Sequence, residues 1–120
     1  MSVEEYLRLN GKYLREAEEL LARGDYIQAS EKLWGAAAEV VKAVAASRGV
    51  TLGTHKSLVR YVLALHKQYP EFGLRQGFVM AETLHINFYE DNLPEEEVKL
   101  RAEEVKSFIN KMKQLLQKTI

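Results

Sequence analysis

Apolar residues recur in this chain at steps of three and four over long stretches, and only two prolines, Pro70 and Pro94, interrupt them. That spacing collects side chains on one side of an α-helix, whereas a strand needs alternation. The pattern predicts an all-α fold, a compact up-and-down bundle of about five helices. Ser2, with Glu5 three residues on, has the form of a capping box, and Tyr6, Leu9, Tyr13, Ala17, Leu20 and Leu21 continue one stripe to a stop near Arg23-Gly24. Asp25, with Gln28 in the reciprocal position, opens a second helix from Tyr26 to Arg48, closed by Gly49 as a left-handed residue.

The second helix has small or apolar residues on nearly every face from Leu33 to Ala45, the composition of a helix surrounded by others. It is expected at the centre. Thr54 caps a third helix bearing Leu58, Val59, Val62 and Leu65, which ends before Tyr69-Pro70 because a residue preceding proline disfavours helical geometry. A turn over 70–73 leads to a fourth helix, Leu74 to Tyr89, whose start is weakened by Gly77 and whose end is broken by Asp91-Asn92-Leu93. Pro94 then suits the first turn of a last helix, with Glu95, Glu96 and Glu97 against its positive end. Val98, Ala102, Val105, Phe108 or Ile109, Met112, Leu115 or Leu116, and Ile120 form its apolar stripe.

A length of 120 residues corresponds to one domain, taken as 1–120, and nothing repeats or links within it. Lys plus Arg and Asp plus Glu both number 17, so no bulk positive field draws the chain to nucleic acid or membrane. No apolar run approaches the length of a membrane span, and the acidic Met1–Glu5 start is unlike a secretory signal. With no cysteine, disulfides and thiolate metal sites are excluded, and a cytoplasmic location is expected. A bundle this small has difficulty covering so apolar a second helix, which points to a homodimer.

Gly24-Asp25-Tyr26 followed by Ala29, Lys32, Trp34, Ala36 to Ala38 and Lys42-Ala43 resembles the helix pair of the HEPN superfamily. Leu84-His85-Ile86-Asn87-Phe88-Tyr89-Glu90 is similar to the archaeal PaREP branch of that superfamily. The resemblance runs from the first helix to the last. It implies a dimerising helical bundle, whose relatives include RNases of toxin–antitoxin and antiviral systems and others that bind nucleotidyltransferases. In catalytic relatives an arginine precedes a histidine with four to six residues between them, the histidine acting as acid or base and the arginine stabilising phosphoryl charge. His85 matches the histidine, but Phe78, Val79 and Met80 occupy the arginine window. Arg60 and His66 satisfy the spacing by accident, since six positions on a helix turn through about 600° and separate the two side chains.

Glu82, His85 and Tyr89 share a helix face at i, i+3 and i+7, and with Asn87 and Glu90 they make the best polar constellation, one suited to a phosphate or nucleobase. The competing role for His85 is a partly buried histidine bonded to a neighbouring helix, with Tyr89 packed beside it. Glu82 and His85 also have the Glu-x-x-His spacing of di-iron bundles, but only one copy exists and no metal or cofactor is expected. Glu39 and Lys42 are charges in an apolar helix, so each requires a partner or a place at a cleft with His85. Trp34 and Phe88 are expected as core or dimer anchors. His55, Lys56, Arg60, His66 and Lys67 form either a small basic face for RNA phosphates or a solvated helix surface.

The resulting expectation is a non-catalytic binding or partner module for a nucleotide, RNA or nucleotidyltransferase-type protein. Two rivals stand beside it. One is an RNase with a degenerate dimer-cleft site in which Lys42, Arg75 or a second subunit supplies the cation for His85; the other is an antitoxin-like or scaffolding subunit of a two-gene system.

Overall fold

The computed structural model describes residues 1–117 and contains α1 (Val3–Ala22), α2 (Tyr26–Ser47), α3 (His55–Gln68), α4 (Leu74–Glu90) and α5 (Glu95–Gln117). A single 3₁₀ turn, Pro70–Phe72, joins α3 to α4, and no strand occurs among the described residues. The all-α reading therefore holds. Ile120, placed in the last apolar stripe, lies outside the described residues.

Local chemistry explains where the helices begin. The Ser2 hydroxyl accepts from Glu5 N–H at 3.2 Å while the Glu5 carboxylate accepts from Ser2 N–H at 3.0 Å. Those bonds, the backbone one foremost, hold the Glu5 carboxyl below its usual range. At α3 the same reciprocal arrangement joins Thr54 and Ser57, both bonds being 3.0 Å. The start of α2 is simpler than the sequence suggests. Asp25 accepts from Gln28 N–H at 3.2 Å, but the Gln28 side chain does not return the bond and instead lines a surface cavity.

Helix ends follow from backbone freedom. Gly24 and Gly49 have φ of 77° and 75°, a left-handed conformation that costs glycine little. Asp91 ends α4 in the same region without being glycine, at φ 47°. It is supported by its own N–H bonding to the Asn87 carbonyl at 2.8 Å.

As expected, α2 is central: it packs against α1, α3, α4 and α5. Leu33, Ala36, Ala37, Val40, Val41 and Val44 are fully buried, which accounts for its small and apolar residues on several faces. The longest contact is with α1, where Gly35 admits the Tyr13 ring so closely that a Cβ there would lie 3.1 Å from Tyr13 Cδ2. Across the bundle, Lys106 of α5 pairs with Glu18 of α1. Burial pulls the Lys106 ammonium down, but the Glu18 bond and charge, aided by Glu103, outweigh it and hold its pKa above the usual value.

Gly77 is not a weakness at the start of α4. A Cβ at that position would stand 2.7 Å from Phe108 Cβ, so glycine is what lets α4 and α5 approach as closely as they do. Its helical cost is offset by the packing of Phe78 against Phe108, ring centroids 6.0 Å apart.

Candidate functional site

Along α2, Glu31, Trp34, Gly35, Ala38 and Lys42 recur at three- and four-residue steps and form a stripe between α1 and α4. The neighbouring helices leave the stripe partly open, giving a surface cavity of about 400 Å³. Tyr13 of α1 and His85 of α4 complete its walls, and Lys32, Glu39 and Lys42 supply charge. A neighbouring cavity of about 250 Å³ shares Trp34, Ala38, Lys42 and His85, then adds Thr54 and His55 from the start of α3.

Trp34 organises the junction between the two. Its ring stacks with His55 at 5.2 Å and with His85 at 5.0 Å, and it leans on the buried Phe78 at 5.6 Å. Each histidine has a carboxylate partner. His85 Nδ1 donates to Glu31 at 2.7 Å and His55 Nε2 donates to Glu82 at 2.7 Å, and the opposite nitrogen of each ring has no hydrogen bond among the described residues. An ionised carboxylate can only accept, which assigns the proton to the bonded nitrogen in both rings.

The charges of α2 pair within the helix or with its neighbours. Lys42 Nζ lies 3.4 Å from Glu39 Oε1, and Lys32 reaches Glu16 of α1 at 3.0 Å while sitting 5.3 Å from the Tyr13 ring centre. Glu39 Oε2 is buried and finds no hydrogen-bond donor among the described residues. This is an expensive arrangement for a carboxylate, since a buried acceptor without a partner costs about 1–3 kcal/mol or more when charged.

Of the residues singled out in the sequence, Trp34, Glu39, Lys42 and His85 meet at the cavity. Glu82 is one turn from His85 but is engaged by His55. The two therefore do not converge as a metal pair, and among the described residues no three His, Asp or Glu side chains gather closely enough to hold a metal ion. Tyr89 is 70% exposed and meets His85 edge-on at 5.3 Å. Phe88 is half-buried with its edge against Tyr89, rather than part of the buried core. Trp34 is half-buried too, packed on the core with its remaining surface in the cavity.

Asn87 does not belong with the others. It is fully buried, its amide donates to Ser30 Oγ at 3.1 Å, and its oxygen accepts from the N–H groups of Asn92 and Leu93 at 3.0 and 2.9 Å. All of its described side-chain bonds fasten the α4–α5 turn to α2, and it does not line the cavities beside Trp34.

Glu31 and Tyr13 carry no signal in the sequence as site residues, and His55 reads there only as part of a basic face. His55 is exposed like Lys56, Arg60 and Lys67, but its ring stacks on Trp34 and bonds to Glu82, which sets it apart from that basic face. The available signal was its place directly after the Thr54 cap, where the first helical residue lies close to whatever precedes the helix. Arg60 is exposed while His66 is half-buried, with Nδ1 buried and unpaired, so the two do not form a site.

Fold and cleft together define a small all-helical bundle whose aromatic-walled cavity carries paired charges and two carboxylate-held histidines. The chain belongs to the archaeal PaREP1/PaREP8 family, whose model matches residues 5–109. A crystal structure of a protein from Sulfolobus solfataricus is similar, with 28% identity and a TM-score of 0.80 over 90% of this chain and 96% of that one. No curated protein matches the chain. No described helix is long and apolar enough to cross a membrane.

Proposed function

We propose that the chain is a HEPN-like, non-catalytic binding module that holds a nucleotide-bearing ligand, free or within RNA, in the cleft beside Trp34. The observation that carries this reading is the convergence of Trp34, Lys42 and His85 on one cavity of about 400 Å³. Its size falls in the usual range for small-molecule sites, about 300–1,000 Å³, and it offers an aromatic wall, an ammonium and an imidazole. The non-catalytic part rests on the arginine window. Phe78 is 2% exposed and packs on Trp34 and Phe108, so this position serves the core and bears no cation.

Trp34 is the chain's only tryptophan, so its emission reports directly on the cleft. Titration with mononucleotides and short single-stranded RNA should quench it saturably, and labelled RNA incubated with the protein in chelator should remain intact. Absence of saturable binding would remove the reading.

A second reading is favoured by one observation: His55 and His85 line the same smaller cavity with Lys42, each ring held by a carboxylate. Two imidazoles and an ammonium are the groups a metal-independent phosphodiester cleavage requires. Arg75 does not support that chemistry because it lines a different groove, beside Glu82. Cutting by the wild type that is lost in His85→Ala would establish this reading over the first.

The exposure of Ile86 at 50% and Tyr89 at 70%, next to His85, supports a homodimer that covers the cleft mouth. A nucleotidyltransferase-type protein, or the second member of a two-gene system, would cover the same surface. Sedimentation of the purified protein alone distinguishes self-association from a requirement for another chain.

A further inference from the structure

We infer that the ligand's base is guanine, recognised through its N1–H and N2 amino edge by the carboxylate of Glu39. This inference rests on the reading of the cleft as a nucleotide site and adds the base to it. Glu39 lines the larger cavity with Trp34 and Lys42, and its side chain is only 12% exposed. Among the described residues, one of its oxygens, Oε2, is buried with no donor, and the other has a single, long 3.4 Å contact to Lys42. Other charges at the cavity are better served: Glu31 is held by His85 at 2.7 Å and Lys32 by Glu16 at 3.0 Å. Glu39 is therefore the under-partnered acceptor of the site.

A carboxylate lacking donors selects a ligand edge with donors and rejects one with acceptors. Among nucleobases, guanine alone carries two adjacent N–H donors, N1–H and the N2 amine, at the spacing of a carboxylate's two oxygens. Adenine presents an amine next to the bare N1 acceptor, which would face carboxylate oxygen without a proton between them. Reaching the base requires the Glu39 carboxylate to turn about its terminal torsion, which is broad and soft. Lys42 is 29% exposed and loosely held by Glu39, so its ammonium is placed to move to a phosphate as the carboxylate takes the base. Trp34 and Tyr13 provide apolar wall on which a base can lie.

The test is a Trp34 fluorescence titration of the full chain with guanosine, inosine and adenosine monophosphates. Guanosine monophosphate is expected to bind about tenfold or more tightly than the adenine nucleotide. Inosine monophosphate, which keeps N1–H but lacks the amine, should fall between. Glu39→Gln replaces one acceptor with an amide donor at almost constant volume, so the guanine preference should disappear: guanosine monophosphate should bind more weakly, while adenosine monophosphate, whose N1 then meets a donor, should bind at least as tightly as to the wild type. Equal affinity for the three nucleotides in the wild type overturns the inference while leaving nucleotide binding intact, as does a preference that survives in Glu39→Gln. Failure of every nucleotide to bind overturns both this inference and the reading beneath it. The wild-type series needs no variant, so misfolding of Glu39→Gln cannot decide the matter. A single-stranded ribo-oligonucleotide with one guanine completes the experiment: tighter binding than the mononucleotide identifies RNA as the source of the base, weaker binding identifies the free nucleotide, and either supports guanine recognition.

Discussion

The imidazole of His85 stacks on the indole of Trp34 with ring centroids 5.0 Å apart and planes 28° from parallel, while Glu31 holds its Nδ1 at 2.7 Å. Glu31 and Trp34 are one turn apart on α2, and His85 stands on α4. The stack sets the plane of the imidazole and the hydrogen bond sets its rotation, so α2 orients a side chain carried by another helix. This makes His85 both a cavity wall and a fastening between helices.

Replacing His85 by alanine should therefore act on the site and on the fold. Loss of the stack and of the Glu31 bond should lower stability by about 1 kcal/mol, moderated because Glu31 regains water. Urea unfolding measures that change. The emission of Trp34 should shift to longer wavelength as water replaces the imidazole, with no comparable shift in a variant of the exposed Lys67.

Gly77→Ala should destabilise the protein even though alanine is the better helix former. The added methyl would meet Phe108 at 2.7 Å, and overpacking of this kind costs about 1–3 kcal/mol against a propensity gain of about 1 kcal/mol. A lower urea midpoint with an unchanged slope is the expected result. A raised midpoint would show that α4 and α5 can part without loss.

Asn87→Ala should be among the most damaging single changes, since it orphans the Asn92 and Leu93 N–H groups and removes a donor from Ser30. A loss of about 1–3 kcal/mol is expected, chiefly from the buried Asn87–Ser30 bond, with the part-buried Asn92 and Leu93 N–H groups losing their acceptor. Hydrogen exchange offers a sharper reading than global stability. The amides of Asn92 and Leu93 should lose protection first, while amides in the middle of α1 keep theirs.

The raised pKa of Lys106 carries a pH dependence with a definite sign. The ion pair with Glu18 favours the charged ammonium in the folded state, so its stabilisation is fully present below the ordinary lysine value of 10.5. It is lost as pH rises through the higher folded-state value. Lys106→Met should accordingly reduce stability at neutral pH, and the gap between variant and wild type should close at strongly alkaline pH. Thermal melts at matched ionic strength at both pH values check this.

Much of the secondary structure was legible because helices begin and end through local chemistry. Ser2, Asp25 and Thr54 cap bonds that span three residues, and Gly24 and Gly49 need only their own backbone freedom to end what precedes them. The Gln28 half of a capping box failed because its side chain had a cavity to face, which no local rule contains. Gly77 illustrates the same limit. Its helical cost is a property of one residue, but its benefit depends on Phe108, which is far along the chain.

The cleft was half legible. A charge within an apolar helix announces itself, so Glu39 and Lys42 stood out, and Trp34 and His85 are uncommon enough to attract attention. Asn87 attracted the same attention and proved to be committed to the turn after α4, because an asparagine's composition does not say where its amide points. His55 reads as one more member of the basic face with Lys56, and nothing local points it to Trp34.

By itself the sequence determined that the chain is all-helical, where the helices start and stop, and that α2 is enclosed; these follow from a 3.6-residue period and from bonds spanning a few residues. Tertiary structure alone decided which polar groups meet. The periodicity of a helix states which face is buried but not how its neighbours are rotated or shifted along it. His85 and Glu31 are 54 residues apart, Asn87 and Ser30 are 57 apart, and His55 and Glu82 are 27 apart. Those pairings depend on the packing angles of whole helices, set by contacts such as Gly77 on Phe108 and Gly35 under Tyr13 that are distributed over the entire bundle.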